Sequence, residues 1–566
     1  MGAHDDRGLT RRQLLTGAAG LGLGAWAAVR FPDDGWGTRR ASGAAVVDAS
    51  SLSTKLMFGY QGWFGTPDDG SAMDQWQAWC DWGTVPRAGT ITVDMWPDLS
   101  GFTRRQLTDS GLTYPDGRPA YLFSSYRPDI VAAHFRWMRT YGIDGVFLQQ
   151  FVTTLAPGSA LRQFRDRVTK NVLRAAEATG RVFAIMYDVS GAEPGMLVKR
   201  VKTHWAAMEP RAVRSPRYLH HGDGPLVALW GLGFAGTDYP ATPEQAHDLL
   251  DFFERKHVTV MGGVPTYWRQ GIRDSKPGPE WAAVFRRFAI ISPWTGSRYS
   301  DRATAIQYAR LVLAADVAEA ARVGADLVPV VFPGFSAHNQ QSIVGRTIPP
   351  PALNSIPRQA GAFWWAQMKA FQEVGVKSVY GAMFDEVDEG TAMFKMAATT
   401  ARLPVEASLV PLDADGYGLP SDWYLHLAGA ATVRLHSGAA FEPVPPLALP
   451  GGAQWPTPVP VSTITSVAPS VASAGQHVTV GGMDFGAVQG RGYVSFGDEG
   501  IAWGSPGCAA TFSLIGWSDD QVTFTVPTPS GPDGVYHVVP CSQAIITVTN
   551  DEGQKSNDAT LTIGLA

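Results

Sequence analysis

Between residues 56 and 384, nine short apolar runs alternate with amphipathic stretches, and that alternation restricts what this chain can fold into more than any other feature. The runs are residues 56–60, 91–96, 145–151, 182–188, 226–230, 258–264, 288–294, 327–332 and 377–384. Helical periodicity fills the intervals at 128–141, 161–179, 243–256, 302–323 and 359–374. In the second of these, Leu161, Phe164, Val168 and Val172 recur at helical spacing and Gly180 supplies the stop. Strands separated by helices pair in parallel, and eight such units close into a (β/α)8 barrel. Nine runs compete for eight places. The extra strand is expected at the hairpin of residues 217–221 and 225–230, joined by Gly222-Asp223-Gly224.

The last run leads directly into Met383-Phe384-Asp385-Glu386-Val387-Asp388-Glu389-Gly390-Thr391, four carboxylates within five positions. Carboxylates crowded at a strand end repel one another and raise each other's pKa values, so one can be protonated while its neighbour is ionised. On a continuing strand Glu386 and Glu389 would point to opposite sides. A turn after Glu386, marked by Gly390, would bring their Cα atoms to within about 7 Å and let both face one cavity. A solvated acidic turn or an incidental calcium site is the competing explanation, and the other strand ends decide against it.

Those ends repeat one chemistry. They carry Tyr60-Gln61-Gly62-Trp63, Asp94-Met95-Trp96, Gln149-Gln150-Phe151, Tyr187-Asp188, Trp230, Tyr267-Trp268, Trp294 and Phe335-Ser336-Ala337-His338-Asn339. In a barrel all fall on the C-terminal face, where active sites are built. Rings that stack on sugar C–H faces, interleaved with planar hydrogen-bonding groups, suit a carbohydrate. The expected sugar contacts are Tyr60, Trp63, Trp96, Gln149, Tyr187, Asp188, Tyr267, Trp268, Phe335, His338, Asn339 and Asp385. For His338, a hydrogen-bonded loop histidine is an equal expectation.

A length of 566 residues implies more than one domain, and the formal charge of −5 points to neither nucleic acid nor an anionic membrane as partner. Residues 1–45 read as a signal and flexible N-terminus: Thr10-Arg11-Arg12-Gln13-Leu14-Leu15 before the short, glycine-rich apolar run 17–28 resembles a bacterial twin-arginine (Tat) export signal. The expected location is therefore secreted or cell-surface. No run is long enough for a membrane span. Residues 46–440 form the barrel, and 441–461, with seven prolines, read as a semi-rigid extended spacer. Residues 462–566 turn to Val, Thr, Gly and Ser with short alternating runs, the pattern of a β-sandwich. There, Ile464-Thr465-Ser466-Val467-Ala468-Pro469, Ala474-Gly475 and Val478-Thr479-Val480-Gly481-Gly482 resemble the opening of an IPT/TIG immunoglobulin-like domain. Of the three cysteines, Cys508 and Cys541 share this domain and are placed for one disulfide, while Cys80 among Trp76, Trp79 and Trp82 reads as a buried thiol.

Over roughly residues 55–430 the barrel resembles glycoside hydrolase family 99 and its family 71/99-like relatives. The matching pieces are Tyr60-Gln61-Gly62-Trp63, Ala184-Ile185-Met186-Tyr187-Asp188, Val328-Pro329-Val330-Val331-Phe332-Pro333-Gly334-Phe335 and the Glu-x-x-Glu-Gly-Thr element at Glu386–Thr391. Val387 and Asp388 stand where the family carries aromatic and histidine residues, so the sugar specificity is not carried over with the pair. The resemblance implies that Glu386 draws the proton from the substrate 2-hydroxyl, which displaces the leaving group to form a 1,2-anhydro sugar. It implies that Glu389 is general acid and then base, with net retention, and that no metal or other cofactor is required. The residues alone support the weaker statement that two carboxylates flank a glycosidic bond. The rival expectations are a non-catalytic carbohydrate-binding protein and a metal-dependent hydrolase, the latter disfavoured because the strand ends lack a His-x-His or His/Asp ligand set.

Overall fold

A computed structural model describes residues 45–344, 349–459, 461–499, 501–506, 510–529 and 536–565. The twin-arginine segment and Cys508 lie outside them. Contacts divide the chain into two units: one runs to Asp301 and resumes over Asp316–Pro456, and the other comprises Arg302–Ala315 with Thr457–Ala566.

The first unit is a parallel barrel. Its strands are β1 (Leu56–Tyr60), β2 (Gly145–Phe151), β3 (Val182–Asp188), β4 (Gly224–Trp230), β5 (Thr259–Val264), β6 (Ile290–Pro293), β7 (the two pieces Asp326–Leu327 and Val330–Val331) and β8 (Val379–Gly381). Each pairs in parallel with the next, and β8 returns to β1 with Leu56 opposite Val379. The seventh strand shows how the ring closes. Its first piece pairs with β6 and its second with β8, and the change of partner falls at Val328-Pro329. Proline has no N–H to continue a ladder, yet its carbonyl accepts from Tyr380 N–H at 3.0 Å. Between the strands run α1 (Pro128–Tyr141), α2 (Ala160–Thr179), α3 (Leu197–Met208), α4 (Pro243–Glu254), α5 (Pro279–Phe285), α6 (Ala314–Arg322) and α7 (Ala362–Glu373), and α8 (Trp423–Ser437) follows β8. Gly180 ends α2 in the left-handed region with φ +70°.

The supernumerary strand is not where it was expected. The hairpin exists, with His220–His221 antiparallel to the start of β4, but β4 is itself a barrel strand. The run that drops out is 91–96, which makes one isolated bridge from Ile91 to Cys80. Its later amides serve another partner: Asp94 and Met95 N–H both donate to the Val387 carbonyl at 3.0 Å, so this stretch braces the acid segment instead of joining the sheet. The proline-rich stretch also differs from expectation. Up to Pro456 it belongs to the first unit, because apolar residues among the prolines find partners there. Phe441 is buried against Trp365, with ring centroids 4.9 Å apart, and Trp455 lies 6.0 Å from Trp423.

The second unit is a β-sandwich. One sheet orders Thr463–Ala468, His477–Met483, Gln521–Thr525 and Leu514–Trp517, and the other orders Val471–Ala472, Ala559–Ile563, Gln543–Thr549, Tyr493–Asp498 and Ile501–Trp503. Alternate residues of both sheets, among them Val480, Phe524, Phe496, Trp503, Ile546 and Leu561, share one buried core. Cys541 is exposed at a turn of this unit. Among the described residues no helix is long and apolar enough to cross a membrane.

Candidate active site

After β8 the chain crosses the C-terminal rim with its amides still paired. Ala382 N–H donates to the Val331 carbonyl at 2.9 Å and Phe384 N–H to that of Gly59 at 2.8 Å, so the segment stays wedged between β7 and β1 as far as Asp385. Gly59 permits this passage: a Cβ there would lie 2.1 Å from the Met383 side chain and 2.5 Å from the Tyr380 hydroxyl. Residues 387–390 then turn, and Thr391 N–H comes back to the Glu386 carbonyl at 3.1 Å. The turn closes at Gly390, where φ is +62° and a Cβ would sit 2.9 Å from Ser336 Cβ and 3.0 Å from its amide nitrogen. Only glycine fits both the angle and the space.

Asp385 and Glu386 are 0% and 1% exposed. Two amides at the end of β1 grip Asp385: Oδ1 accepts Gln61 N–H at 2.7 Å and Oδ2 accepts Gly62 N–H at 2.9 Å. Burial lifts its carboxyl to about 7; the two amides oppose the shift and the neighbouring Glu386 charge adds to it. Crowding of like charges is thus the lesser cause, and desolvation the greater. Glu386 accepts from Gln61 Nε2 through one oxygen and from Thr391 Oγ1, at 3.1 Å, through the other. Glu389 is half-buried, and its carbonyl accepts Ser336 N–H at 2.9 Å. Asp388 is buried and takes a bond from Gln340 Nε2 at 3.4 Å.

Three buried groups organise this turn and the segments around it. Arg165 of α2 is buried and donates to the carbonyls of Gln61, at 2.8 Å, Gly62, at 3.0 Å, and Gln149. Its charge is desolvated, which brings its pKa down to about 10, and Asp385 partly offsets the shift. Arg358 donates to the Gly390 and Ala392 carbonyls at 2.7 Å each, its guanidinium 4.6 Å from the Tyr424 ring centroid. Asp94 accepts His338 N–H at 2.7 Å, Asn339 N–H at 2.8 Å and the Ser336 hydroxyl. Burial raises the Asp94 carboxyl, while those bonds oppose the shift. The fold therefore ties the ends of β1 and β2, the acid turn and the 335–339 loop into one polar assembly.

The expected contact residues divide into two groups. Asp385, His338 and Asn339 join this assembly, and Phe335 stands on the same loop, half-buried. Trp63, also half-buried, stacks on Phe151 at 5.2 Å two residues beyond Gln61. The others take up partners elsewhere. Tyr60 and Tyr187 are fully buried, with their hydroxyls on His134 of α1 at 2.9 Å and His204 of α3 at 2.8 Å. Alternate strand residues face opposite sides, and these two face the helices. Gln149 lies inside the barrel, where its amide donates to Tyr380 Oη at 3.0 Å. Asp188 is buried and accepts from Ser190 N–H at 2.9 Å. Trp96 is buried, donating to Tyr114 Oη at 3.2 Å. Trp268 is buried and Tyr267 half-buried beneath Arg273 at 4.6 Å.

Arg165 and Arg358 escape a reading by strand ends alone, whereas Gln61, Ser336 and Thr391 stand in the strand-end motifs without being expected as contacts. Arg165 carried a signal. It occupies the apolar stripe of α2 beside Phe164 and Val168, where a cation must find buried acceptors. Among the described residues no three His, Cys, Asp or Glu side chains come together as a metal-ligand set.

No protein-family model matches the chain, and no curated protein matches it. Among solved structures it is similar to the GH99 endo-alpha-mannosidase from Bacteroides thetaiotaomicron, at 12% identity over 68% of this chain and 99% of that one, with a TM-score of 0.48. The same values hold for that enzyme in complex with Bis-Tris-propane. The TIG domain of human nuclear factor of activated T-cells, cytoplasmic 4, is similar at 18% identity over 19% of this chain and 89% of that one, with a TM-score of 0.14.

Proposed function

We propose that this chain is an exported glycoside hydrolase that cleaves a poly- or oligosaccharide with the pair Glu386 and Glu389, and that its second unit is a spacer or binding module of IPT/TIG type. The observation that carries the reading is the closed turn at the end of β8. It puts a buried Glu386, fixed by Gln61 and Thr391, and a half-buried Glu389 at the two ends of one turn on the rim where barrel enzymes act.

In this reading Glu386 takes the proton of the sugar 2-hydroxyl as that oxygen attacks the anomeric carbon. Glu389 gives its proton to the departing glycosidic oxygen, and a 1,2-anhydro sugar is left. A water then attacks the same carbon, losing its proton to Glu389, and the 2-oxygen recovers one from Glu386. Two inversions give retention. Each proton transfer is worth about 10²–10⁴ in rate. Asp385, gripped by two amides, fixes the strand end beneath Glu386 and sets the charge beside it.

Release of reducing sugar from a panel of α-mannans, α-glucans and arabinoxylans tests the pair, with wild type beside Glu386→Gln and Glu389→Gln. The expected result is turnover on one class of substrate that falls at least about 10²-fold in each variant. Turnover indifferent to either change would sink the pair. Binding without turnover in all three proteins would favour a lectin-like role.

A further inference from the structure

A cleft of about 440 Å³ opens in the barrel unit among residues 97–107, the hairpin Thr108–Thr113/Pro119–Leu122 with its connecting turn, and residues 397–402. Its volume is in the range of ligand pockets. Three guanidinium groups line it, Arg104, Arg118 and Arg402, against one carboxylate, Asp98. Arg118 is paired with Asp116 at 2.7 Å. Among the described residues, neither Arg104 nor Arg402 has a carboxylate partner. Two rings complete the lining: Tyr121 lies 5.5 Å beneath Arg104, and Tyr114 lies 5.9 Å beneath Arg118. Trp96 fixes the Tyr114 hydroxyl from behind. The cleft is also joined to the acid turn by chain. Residues 94–95 bond to Val387, and the segment runs on to bridge Pro97 to Met396, with Asp98 N–H on the Lys395 carbonyl at 3.0 Å.

We infer that this cleft binds an anionic sugar unit, one bearing a carboxylate or a sulfate ester, of the polymer processed at the acid turn. Guanidinium forks suit the planar or tetrahedral oxyanion, and the Tyr121 and Tyr114 rings beneath Arg104 and Arg118 orient two of those forks. Arg104 and Arg402 are both exposed and solvated, and an oxyanion would gain charge-assisted bonds from them that a neutral sugar cannot make. On a chain with formal charge −5, a local surplus of cation is a selective feature and not a general one. That the anionic unit belongs to a polymer cleaved at the acid turn rests on the glycosidase reading, whereas the anion preference stands without it.

The test is affinity electrophoresis of the full chain in gels containing dextran, sulfated dextran, polygalacturonate or carboxyl-reduced polygalacturonate. Wild type is compared with Arg104→Gln/Arg402→Gln and with Lys170→Gln/Arg174→Gln, an equal loss of charge on the exposed face of α2. An anionic polymer should be bound at least tenfold more tightly than its neutral counterpart. The Arg104/Arg402 pair should abolish that preference and the α2 pair should keep it, with the sulfated and uronate gels telling which oxyanion is taken. Equal retention by charged and neutral polymers, or a preference that survives in Arg104→Gln/Arg402→Gln, would overturn the inference. Glu386→Gln should retain the preference. If it does while no substrate is turned over by wild type, the glycosidase reading fails and the anionic cleft stands.

Discussion

Asp385 sets the electrostatics of the rim, and its titration can be read directly. Its folded value near 7 lies well above the value near 4 of an exposed aspartate. Below pH about 4 both folded and unfolded chains hold the proton. Between about 4 and 7 the folded chain keeps a proton that the unfolded chain has lost, so this group's contribution to stability declines as pH rises through that window. Because Asp385 adjoins Glu386, the step belongs to the pair. Unfolding free energies from urea titrations at pH 4.5, 6 and 8 should fall more steeply for wild type than for Asp385→Asn, by an amount on the order of a few kcal/mol across the window. Parallel profiles would show that the buried carboxyl does not titrate there. The same substitution should also remove an apparent pKa near 7 from the pH dependence of kcat/KM.

At the scale of elements, the acid turn shows what can and cannot be read from a sequence. Glycine after a run of acids announces a turn, and the turn is there, because Gly390 must adopt a positive φ against Ser336. The parallel barrel was equally legible, since continuous apolar runs of strand length separated by period-3.6 stretches have few other solutions. Residues 91–96 misled because an apolar run of strand length also suits a brace whose amides serve a turn. Tyr60 and Tyr187 misled because the face a strand-end residue adopts depends on register, which a single strand does not reveal. Gly390→Ala makes the turn testable. A left-handed alanine costs about 1–2 kcal/mol, and the crowded Ser336 amide must move while bonded to the Glu389 carbonyl. Melting should shift by only a few degrees, whereas kcat should fall at least tenfold by displacement of Glu389. A proportionate loss of both, or of neither, would mean that turn geometry and activity are uncoupled.

At the scale of the whole molecule, the second unit joins segments distant in the chain. Within it, the Arg310 guanidinium donates to the Val461 carbonyl at 2.7 Å and pairs with Asp484 at 2.7 Å. A linear reading placed the sandwich at 462–566 and could not anticipate Arg302–Ala315, since helical periodicity says nothing of which unit a helix face meets. The sandwich core nevertheless lies wholly between Ile464 and Ile563. Asp484 is 36% exposed, so water screens the pair, and such pairs contribute up to about 1 kcal/mol. The excised 457–566 segment should therefore fold alone, with a cooperative calorimetric transition less than roughly 8 °C below that of the same unit in the full chain. A non-cooperative melt would show that Arg302–Ala315 is part of the folding unit itself.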